Sequence, residues 1–280
     1  MGHKNKPRIL DDDIELMIRI ARHGFVDMDY IQLFAYKGRK KDTIERRVLQ
    51  LALHDFLIVE RTFIPANHTA SFRTGYKIVT LGKRGLQYME DMGYEAKDNT
   101  KAFLSYSPYY MYHQVQVATV CDIIQSKYED GNSNWYVDEI LNEKEAYLED
   151  TSNRPDAILI FKQKDKTKTS SVLVYVELER SYPTQTLAEK KIRSYRRVIH
   201  EELHAKALSL DVIDYRVLFV CTMRNAKRLL IQKIRDNKDR IDFNLLVTGY
   251  EDVTQHPLDA IYTLPLHVEE TYKLMGQLPL

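Results

Sequence analysis

The chain has 280 residues, of which 44% are hydrophobic and 29% charged, and its formal net charge at pH 7 is +1. This composition indicates a folded protein of about two domains and excludes an intrinsically disordered chain. Its two cysteines make no disulfide framework, and no apolar run approaches the roughly 20 residues of a membrane span, so we expect a cytoplasmic protein without a membrane partner.

Positive charge is concentrated in the first third of the chain. Residues 1–90 hold 16 lysines and arginines against 11 aspartates and glutamates, whereas residues 91–280 hold 25 against 29. An asymmetry of this kind favours a nucleic-acid partner for the N-terminal part.

The first elements in chain order are three predicted helices. Apolar residues at helical spacing predict a first helix that Gly24 ends, and residues 29–36 predict a short second helix. Asp42 or Thr43 can cap a third helix, whose apolar residues recur near one face.

A β-hairpin follows these helices. Strands are predicted at 57–64 and 72–80, with a polar turn between them, and a further helix restarts at 81–86. Helix, helix, helix, hairpin is the order of a winged helix. We therefore predict that residues 1–98 form a winged helix-turn-helix domain that binds DNA.

Basic residues cluster where a winged helix meets DNA: before the third helix, on its first turns, and on the hairpin. There they can neutralise phosphates or contact base edges. The predicted DNA-binding residues are Lys37, Arg39, Lys40, Lys41, Thr43, Arg46, Arg47, His68 and Arg73. The alternative is a charged helix face that is merely solvated, or a winged helix used for protein contact.

Residues 99–280 predict an α/β domain. A linker at 99–108 precedes an amphipathic helix at 109–127, and strands then alternate with helices as far as residue 248. One predicted helix runs from residue 186 to about residue 204.

Carboxylates and lysines lie together in the middle of this domain. Asp156 precedes an apolar strand, and the next strand alternates so that Glu177 and Glu179 share one face. The helix that follows carries Lys190 and Lys191. Carboxylate oxygens suit Mg²⁺ or Mn²⁺, so the residue types are adequate for a metal site.

This arrangement resembles the metal-binding core of the PD-(D/E)XK nuclease fold. The resemblance implies that Asp156 and Glu177 hold Mg²⁺ or Mn²⁺, that Glu179 assists, and that Lys191 orients or activates water for phosphodiester cleavage. Such nucleases usually carry lysine at the position of Glu179. The sequence therefore leaves open a metal-dependent nuclease or nickase and a scaffold that binds DNA without cleaving it.

The order of motifs also resembles the replication-relaxation family of plasmid and mobile-element proteins. Beside the winged helix, the motifs are a helix with His113 and Val117, Trp135, Arg154-Pro155-Asp156, Glu177-x-Glu179-Arg180, Lys191-x3-Tyr195, and Val217-Leu218-Phe219-Val220 before a helix with Arg224 and Arg228. The resemblance implies binding to double-stranded plasmid or origin DNA, with a role in DNA replication, DNA relaxation, conjugative transfer or transcription. A relaxase or replication protein is the implied protein partner, and a homodimer is left open.

A rival motif lies near the end of the same helix. His200-Glu201-Glu202-Leu203-His204 matches H-E-x-x-H, in which two histidines one turn apart bind zinc and the glutamate is the general base. The alternative function is therefore a zinc metallopeptidase, although Glu202 is charged where such motifs usually are not and no third ligand is evident downstream.

Overall fold

The computed structural model describes residues 7–65, 72–94, 106–131, 133–148, 154–164, 170–182, 184–237 and 241–279. Within these ranges the chain is a mixed α/β protein with a seven-stranded sheet. It divides into two compact units, Met1–Ala118 and Thr119–Leu280. The predicted division between residues 98 and 99 lies outside the described ranges and stays a prediction.

The first unit contains the four predicted helices and the two predicted hairpin strands, together with a short strand, Val26–Asp27, that was not predicted. Its elements are α1 (Asp11–His23), β1 (Val26–Asp27), α2 (Met28–Phe34), α3 (Lys41–Leu53), β2 (Leu57–Pro65), β3 (Phe72–Leu81), α4 (Lys83–Asp91) and the start of α5 (Pro108–Asp130). Its antiparallel sheet has the order β1-β3-β2. Apolar side chains such as Leu16 of α1, Ile44 of α3 and Ile78 of β3 are buried in its core.

The ends of two helices test the sequence predictions. Gly24 ends α1 as predicted, with φ at 83°, a conformation that glycine adopts without a steric penalty. The expected cap of α3 by Asp42 or Thr43 is wrong, because the helix begins at Lys41 and Lys40 stands at its N-cap without a side-chain hydrogen bond. Asp42 instead lies in the first turn, where a carboxylate complements the positive end of the helix dipole.

A buried ion pair joins α1 to α3. The fully buried carboxylate of Asp13 accepts a hydrogen bond from Arg47 Nε at 2.9 Å, and further bonds from Arg47 Nη2 and the Tyr36 hydroxyl. Arg47 also donates to the carbonyl oxygen of Arg8 at 2.6 Å. Burial opposes ionisation of Asp13, but the hydrogen bonds from Arg47 and Tyr36 outweigh it and lower the pKa of the carboxyl.

The second unit contains the rest of α5 and the seven-stranded sheet. Its other elements are β4 (Trp135–Asn142), β5 (Ala157–Gln163), β6 (Ser171–Glu179), α6 (Gln185–His200), α7 (Leu203–Leu208), β7 (Val212–Cys221), α8 (Arg224–Arg235), β8 (Asn244–Gly249), α9 (Tyr250–Gln255), β9 (Tyr262–Leu264) and β10 (His267–Tyr272). The strand order is β10-β9-β8-β7-β6-β5-β4. Strands β6, β7 and β8 are parallel, and the other neighbours are antiparallel.

Both faces of this sheet are covered by helices. Side chains of α6 and α8, such as Ile192 and Leu230, join one buried cluster with Tyr175 of β6. On β5, the Phe161 ring meets the Tyr128 ring of α5 edge to face, with centroids 5.1 Å apart. All nine residues of β6 are buried, which explains its nearly continuous apolar sequence. In the described part of the chain, no helix combines the length and apolar character needed to cross a membrane.

Candidate functional site

The parallel strands β6, β7 and β8 end at one edge of the sheet, where two of the predicted carboxylates lie. In the strand register Glu179 is level with Cys221, and Cys221 is level with Gly249. Just beyond β7, the backbone N–H of Thr222 donates to the carbonyl oxygen of Glu179 at 2.9 Å. Open α/β sheets bind ligands outside the carboxyl ends of their parallel strands, so this edge is a candidate functional site.

A lysine and a tyrosine of α6 contact the two glutamates. Lys191 Nζ donates to Glu177 Oε2 at 2.8 Å and to Glu179 Oε1 at 2.6 Å. The Tyr195 hydroxyl donates to Glu177 Oε1 at 2.5 Å. Lys191 and Tyr195 are four residues apart and therefore share one side of the helix. Lys190, which the sequence left as an alternative, is exposed.

Asp156 lies beside this group and is held by the backbone of β6. Its Oδ2 accepts from the N–H of Leu178 at 2.7 Å, and its own N–H donates to the carbonyl oxygen of Val176 at 3.1 Å. Its negative charge also acts on Glu177, whose pKa it raises. The structure therefore brings together all four residues that the sequence predicted as catalytic.

Burial governs the electrostatics of the site. Glu177 is 4% exposed, and burial raises its pKa to about 7 although the Lys191 charge opposes the rise. Burial also disfavours the charged form of Lys191, but the negative charges of Glu177 and Glu179 outweigh it and raise the pKa of the ammonium. The Lys191 Nζ lies 5.5 Å from the centroid of the Phe219 ring. Glu177 can therefore exchange a proton near neutral pH while Lys191 stays charged.

Lys191 and Tyr195 occupy carboxylate oxygens that Mg²⁺ or Mn²⁺ would use. Both oxygens of Glu177 accept hydrogen bonds, and Glu179 Oε1 accepts one as well. Among the described residues, no group of three or more histidine, cysteine, aspartate or glutamate side chains is placed to hold a metal ion. A divalent cation needs carboxylate lone pairs directed at it. The Lys191 ammonium lies where a cation shared by Glu177 and Glu179 would bind, and the metal role expected of Asp156 and Glu177 stays a prediction.

The zinc motif does not lie on one helix. Helix α6 ends at His200 with Glu201 as its C-cap, and Glu202 adopts a left-handed conformation with φ at 51° before α7 begins. The predicted continuous helix to about His204 is therefore wrong. The H-E-x-x-H arrangement needs both histidines on the same face of a single helix, and the turn at Glu202 removes that geometry.

Each histidine of this motif has other contacts. His200 is exposed, and its Nε2 lies 3.2 Å from Asp242 Oδ1. His204 is buried, with Nδ1 3.2 Å from the Tyr175 hydroxyl and Nε2 2.8 Å from the carbonyl oxygen of Ala146. Burial lowers the pKa of His204, which keeps the ring neutral. His204 is a hydrogen-bonded core residue, and the peptidase site is not formed.

The predicted DNA-binding residues are mostly exposed in the first unit. Arg39 pairs with Asp12 at 3.3 Å, and Arg46 Nε donates to the carbonyl oxygen of Asp42 at 3.3 Å, both at the protein surface. The exposed members of the predicted set are Lys37, Arg39, Lys40, Lys41, Thr43 and Arg46. Their side chains at the turn before α3 and on its first turns are accessible to solvent.

The other three predicted DNA-binding residues are not among these exposed side chains. Arg47 was expected to contact DNA, but its side chain is 15% exposed and is bound to Asp13, so that expectation is corrected: Arg47 holds α1 to α3. His68 lies outside the described residues. Arg73 belongs to β3, but its side chain is outside the described part of the structure. The roles of His68 and Arg73 stay predictions.

Sequence reasoning missed two features. Tyr195 was not assigned to the site, although its position four residues after Lys191 could have indicated that both side chains face β6. The exposed basic residues of α8, including Arg224 and Arg228, were not assigned either. Their recurrence at helical spacing was the available signal.

Comparison with known proteins places few limits on this site. No protein-family model and no curated protein sequence matches the chain. A solved structure of restriction endonuclease FokI aligns with it at 12% identity and a TM-score of 0.31, covering 89% of this chain. The chain spans 45% of the length of that FokI chain.

Proposed function

We propose that this protein binds double-stranded DNA through its first unit, as a winged helix whose α3 enters the major groove. One observation carries the proposal: the basic side chains before α3 and on its first turns are exposed. The apolar face of α3, with Ile44, Val48 and Leu51, is buried in the core of the unit. The opposite face is therefore directed to solvent and carries Arg46, and Lys41 is exposed at the first residue of the helix.

The chemistry of this surface suits a DNA duplex. Lysines before α3 can neutralise phosphates, and Arg46 can donate two hydrogen bonds to a guanine edge. The hairpin is tied to the same helix, because Lys77 Nζ of β3 donates to Glu45 Oε2 of α3 at 2.9 Å. This ion pair adds to the apolar packing that orients α3 relative to the strands, an orientation that a recognition helix requires.

The second unit supports a second candidate function, a metal-dependent deoxyribonuclease or nickase on a PD-(D/E)XK-like scaffold. The favouring observation is the convergence of Asp156, Glu177, Glu179 and Lys191 beside the carboxyl edge of the parallel strands. Lys191 contacts both glutamates in the folded arrangement and occupies carboxylate oxygens that a divalent cation would use. Binding without cleavage is therefore the function that the folded arrangement favours.

A wider role rests on the order of the sequence motifs. Membership of the replication-relaxation family would make this a cytoplasmic protein of a plasmid or another mobile element. It would assist DNA replication, DNA relaxation or conjugative transfer, or regulate transcription. In this role the protein would bind a relaxase or a replication protein, and it could act as a homodimer.

Fluorescence anisotropy with a labelled DNA duplex tests the binding proposal. The variant combines Lys40→Ala, Lys41→Ala and Arg46→Ala. A control of equal charge loss combines Arg193→Ala, Arg197→Ala and Lys206→Ala, which are exposed on α6 and α7. We expect weaker binding and a shallower salt dependence in the first variant, by about 0.9 in log–log slope for each lost phosphate contact. Equal affinities of the first variant and the wild type would refute the role of α3.

A nicking assay decides between binding and cleavage. Supercoiled plasmid is incubated with the full chain, with and without Mn²⁺, and with Asp156→Asn as the matched variant. Asparagine retains a carbonyl oxygen that can accept the Leu178 N–H bond, so the fold is preserved. We expect a mobility shift without nicking. Mn²⁺-dependent nicking that Asp156→Asn abolishes would establish the nuclease instead.

A further inference from the structure

Basic side chains follow one exposed face of α8, a helix outside the carboxylate site. Arg224, Arg228 and Arg235 are exposed, and Gln232 continues the same stripe. These positions are separated by three or four residues and so lie above one another on the helix. The stripe is about 16 Å long at the rise of an α-helix. The opposite face of α8 is apolar and buried against the sheet.

The stripe forms one wall of an open groove of about 1000 Å³ in the second unit. Lys227 and Ile231 of the same helix also line the groove, and Thr263 of β9 and Val268 of β10 contribute uncharged side chains. Among the described residues that line it, the one carboxylate is that of Asp236, which follows the last residue of α8. The lining is therefore strongly positive along the length of the helix.

The guanidinium groups of this stripe face solvent. Lys227 Nζ lies 3.9 Å from Asp252 Oδ2. For Arg224, Arg228 and Arg235, no ion pair is found within the described ranges of the chain. An exposed guanidinium has five N–H donors in a planar fork that matches phosphate oxygens. Guanidinium groups repeated along a helix suit a polyanion whose negative groups are regularly spaced.

The groove begins beside the carboxylate edge. Arg224 is two residues beyond Thr222, whose N–H is bonded to the carbonyl oxygen of Glu179 at 2.9 Å. The charges of Lys227 and Lys191 both act on the Cys221 thiol, whose pKa burial raises to about 12. The start of α8 and the Lys191 site therefore border the same strand end.

We propose that the α8 groove binds the sugar-phosphate backbone of nucleic acid and directs it towards the carboxylate edge. One strand of a duplex carries a phosphate about every 3.4 Å of the duplex axis, so a stripe parallel to that axis spans about five phosphates. The inference rests on the proposed function for its class of partner and adds a second DNA surface, on the second unit. Phosphates that contact α8 would hold the strand next to the Lys191 site whether or not cleavage occurs.

The test measures binding of the full chain to a fluorescein-labelled DNA duplex over a range of salt concentrations. The variant combines Arg224→Gln, Arg228→Gln and Arg235→Gln, since glutamine preserves helix propensity. The control is Arg193→Gln, Arg197→Gln and Lys206→Gln, which removes equal charge from the same unit. We expect the α8 variant to bind at least tenfold more weakly at low salt, with a salt slope shallower by about 2 to 3, and the control to stay near wild type.

A charge-retaining variant guards against a folding artefact. Arg224→Lys, Arg228→Lys and Arg235→Lys should restore most of the affinity, because lysine still neutralises phosphate. Unchanged affinity in the glutamine variant, or an equal loss in the control, would overturn the inference.

The α3 variant separates this inference from the proposed function. If the α3 variant loses affinity and the α8 glutamine variant does not, the α8 inference is wrong while the proposed function stands. If the α8 variant alone loses affinity, the inference stands and the role of α3 is wrong.

Discussion

Replacing Lys191 with methionine removes the ammonium that bridges Glu177 and Glu179 but keeps an unbranched side chain of similar length. Both glutamates are almost completely buried, at 4% and 6% exposure. Removing one partner of a buried ion pair costs about 3–5 kcal/mol, because the remaining charge is left without compensation. We expect a loss of this size in the free energy of unfolding at pH 8.

The same variant should show a distinctive pH dependence. In the wild type, Glu177 has a pKa of about 7 although Lys191 lowers it, so methionine at position 191 raises that pKa further. Above about pH 7 Glu177 loses its proton in the wild type and pairs with Lys191 as a carboxylate, whereas in the variant Glu177 stays protonated. The destabilisation should therefore increase by about 1.4 kcal/mol per pH unit between about pH 7 and the raised pKa of the variant.

Urea unfolding, followed by circular dichroism at pH values from 6 to 9, measures both effects. Lys190→Met is the matched control, because Lys190 is exposed on the same helix and should change stability by no more than about 0.5 kcal/mol. A Lys191→Met loss as small as that of the control, or a loss that is constant over this pH range, would refute the buried bridge.

Three further predictions follow from buried contacts. Glu177 holds its proton more tightly in the folded than in the unfolded state, because its folded pKa is about 7. The free energy of unfolding should therefore fall by on the order of 3 kcal/mol as the pH rises from about 4.5 through about 7. Glu177→Gln should flatten this dependence in urea titrations. Arg47→Ala should destabilise the chain by about 3–5 kcal/mol, because it leaves Asp13 charged and buried. Arg46→Ala, the control, should cost less than about 0.5 kcal/mol. Thermal unfolding of both variants measures the difference, and equal losses would contradict the prediction. His204→Ala should lower stability, while a zinc chelator should leave the wild-type melting temperature unchanged; a chelator-induced drop would restore the zinc hypothesis.

The sequence by itself determined the local features of both units. Alternation along β6 placed Glu177 and Glu179 on one face, because side chains of a strand point to opposite sides in turn. The apolar spacing of α1 and Gly24 located the first helix and its end. Exposure of the basic turn before α3 also followed from composition, since unpaired lysines are rarely buried.

Only the tertiary structure decided which side chains meet across the chain. The sequence placed Lys190 beside the predicted Lys191, and only the packing of α6 on β6 showed that Lys191 contacts the glutamates while Lys190 is exposed. Arg47 resembled a DNA contact until Asp13, 34 residues away, was found beside it. Local periodicity determines which face of an element a residue occupies, but the partner of that face depends on how distant elements pack. That packing decides whether a charged side chain such as Arg47 is available to DNA or is paired with another side chain of the same protein.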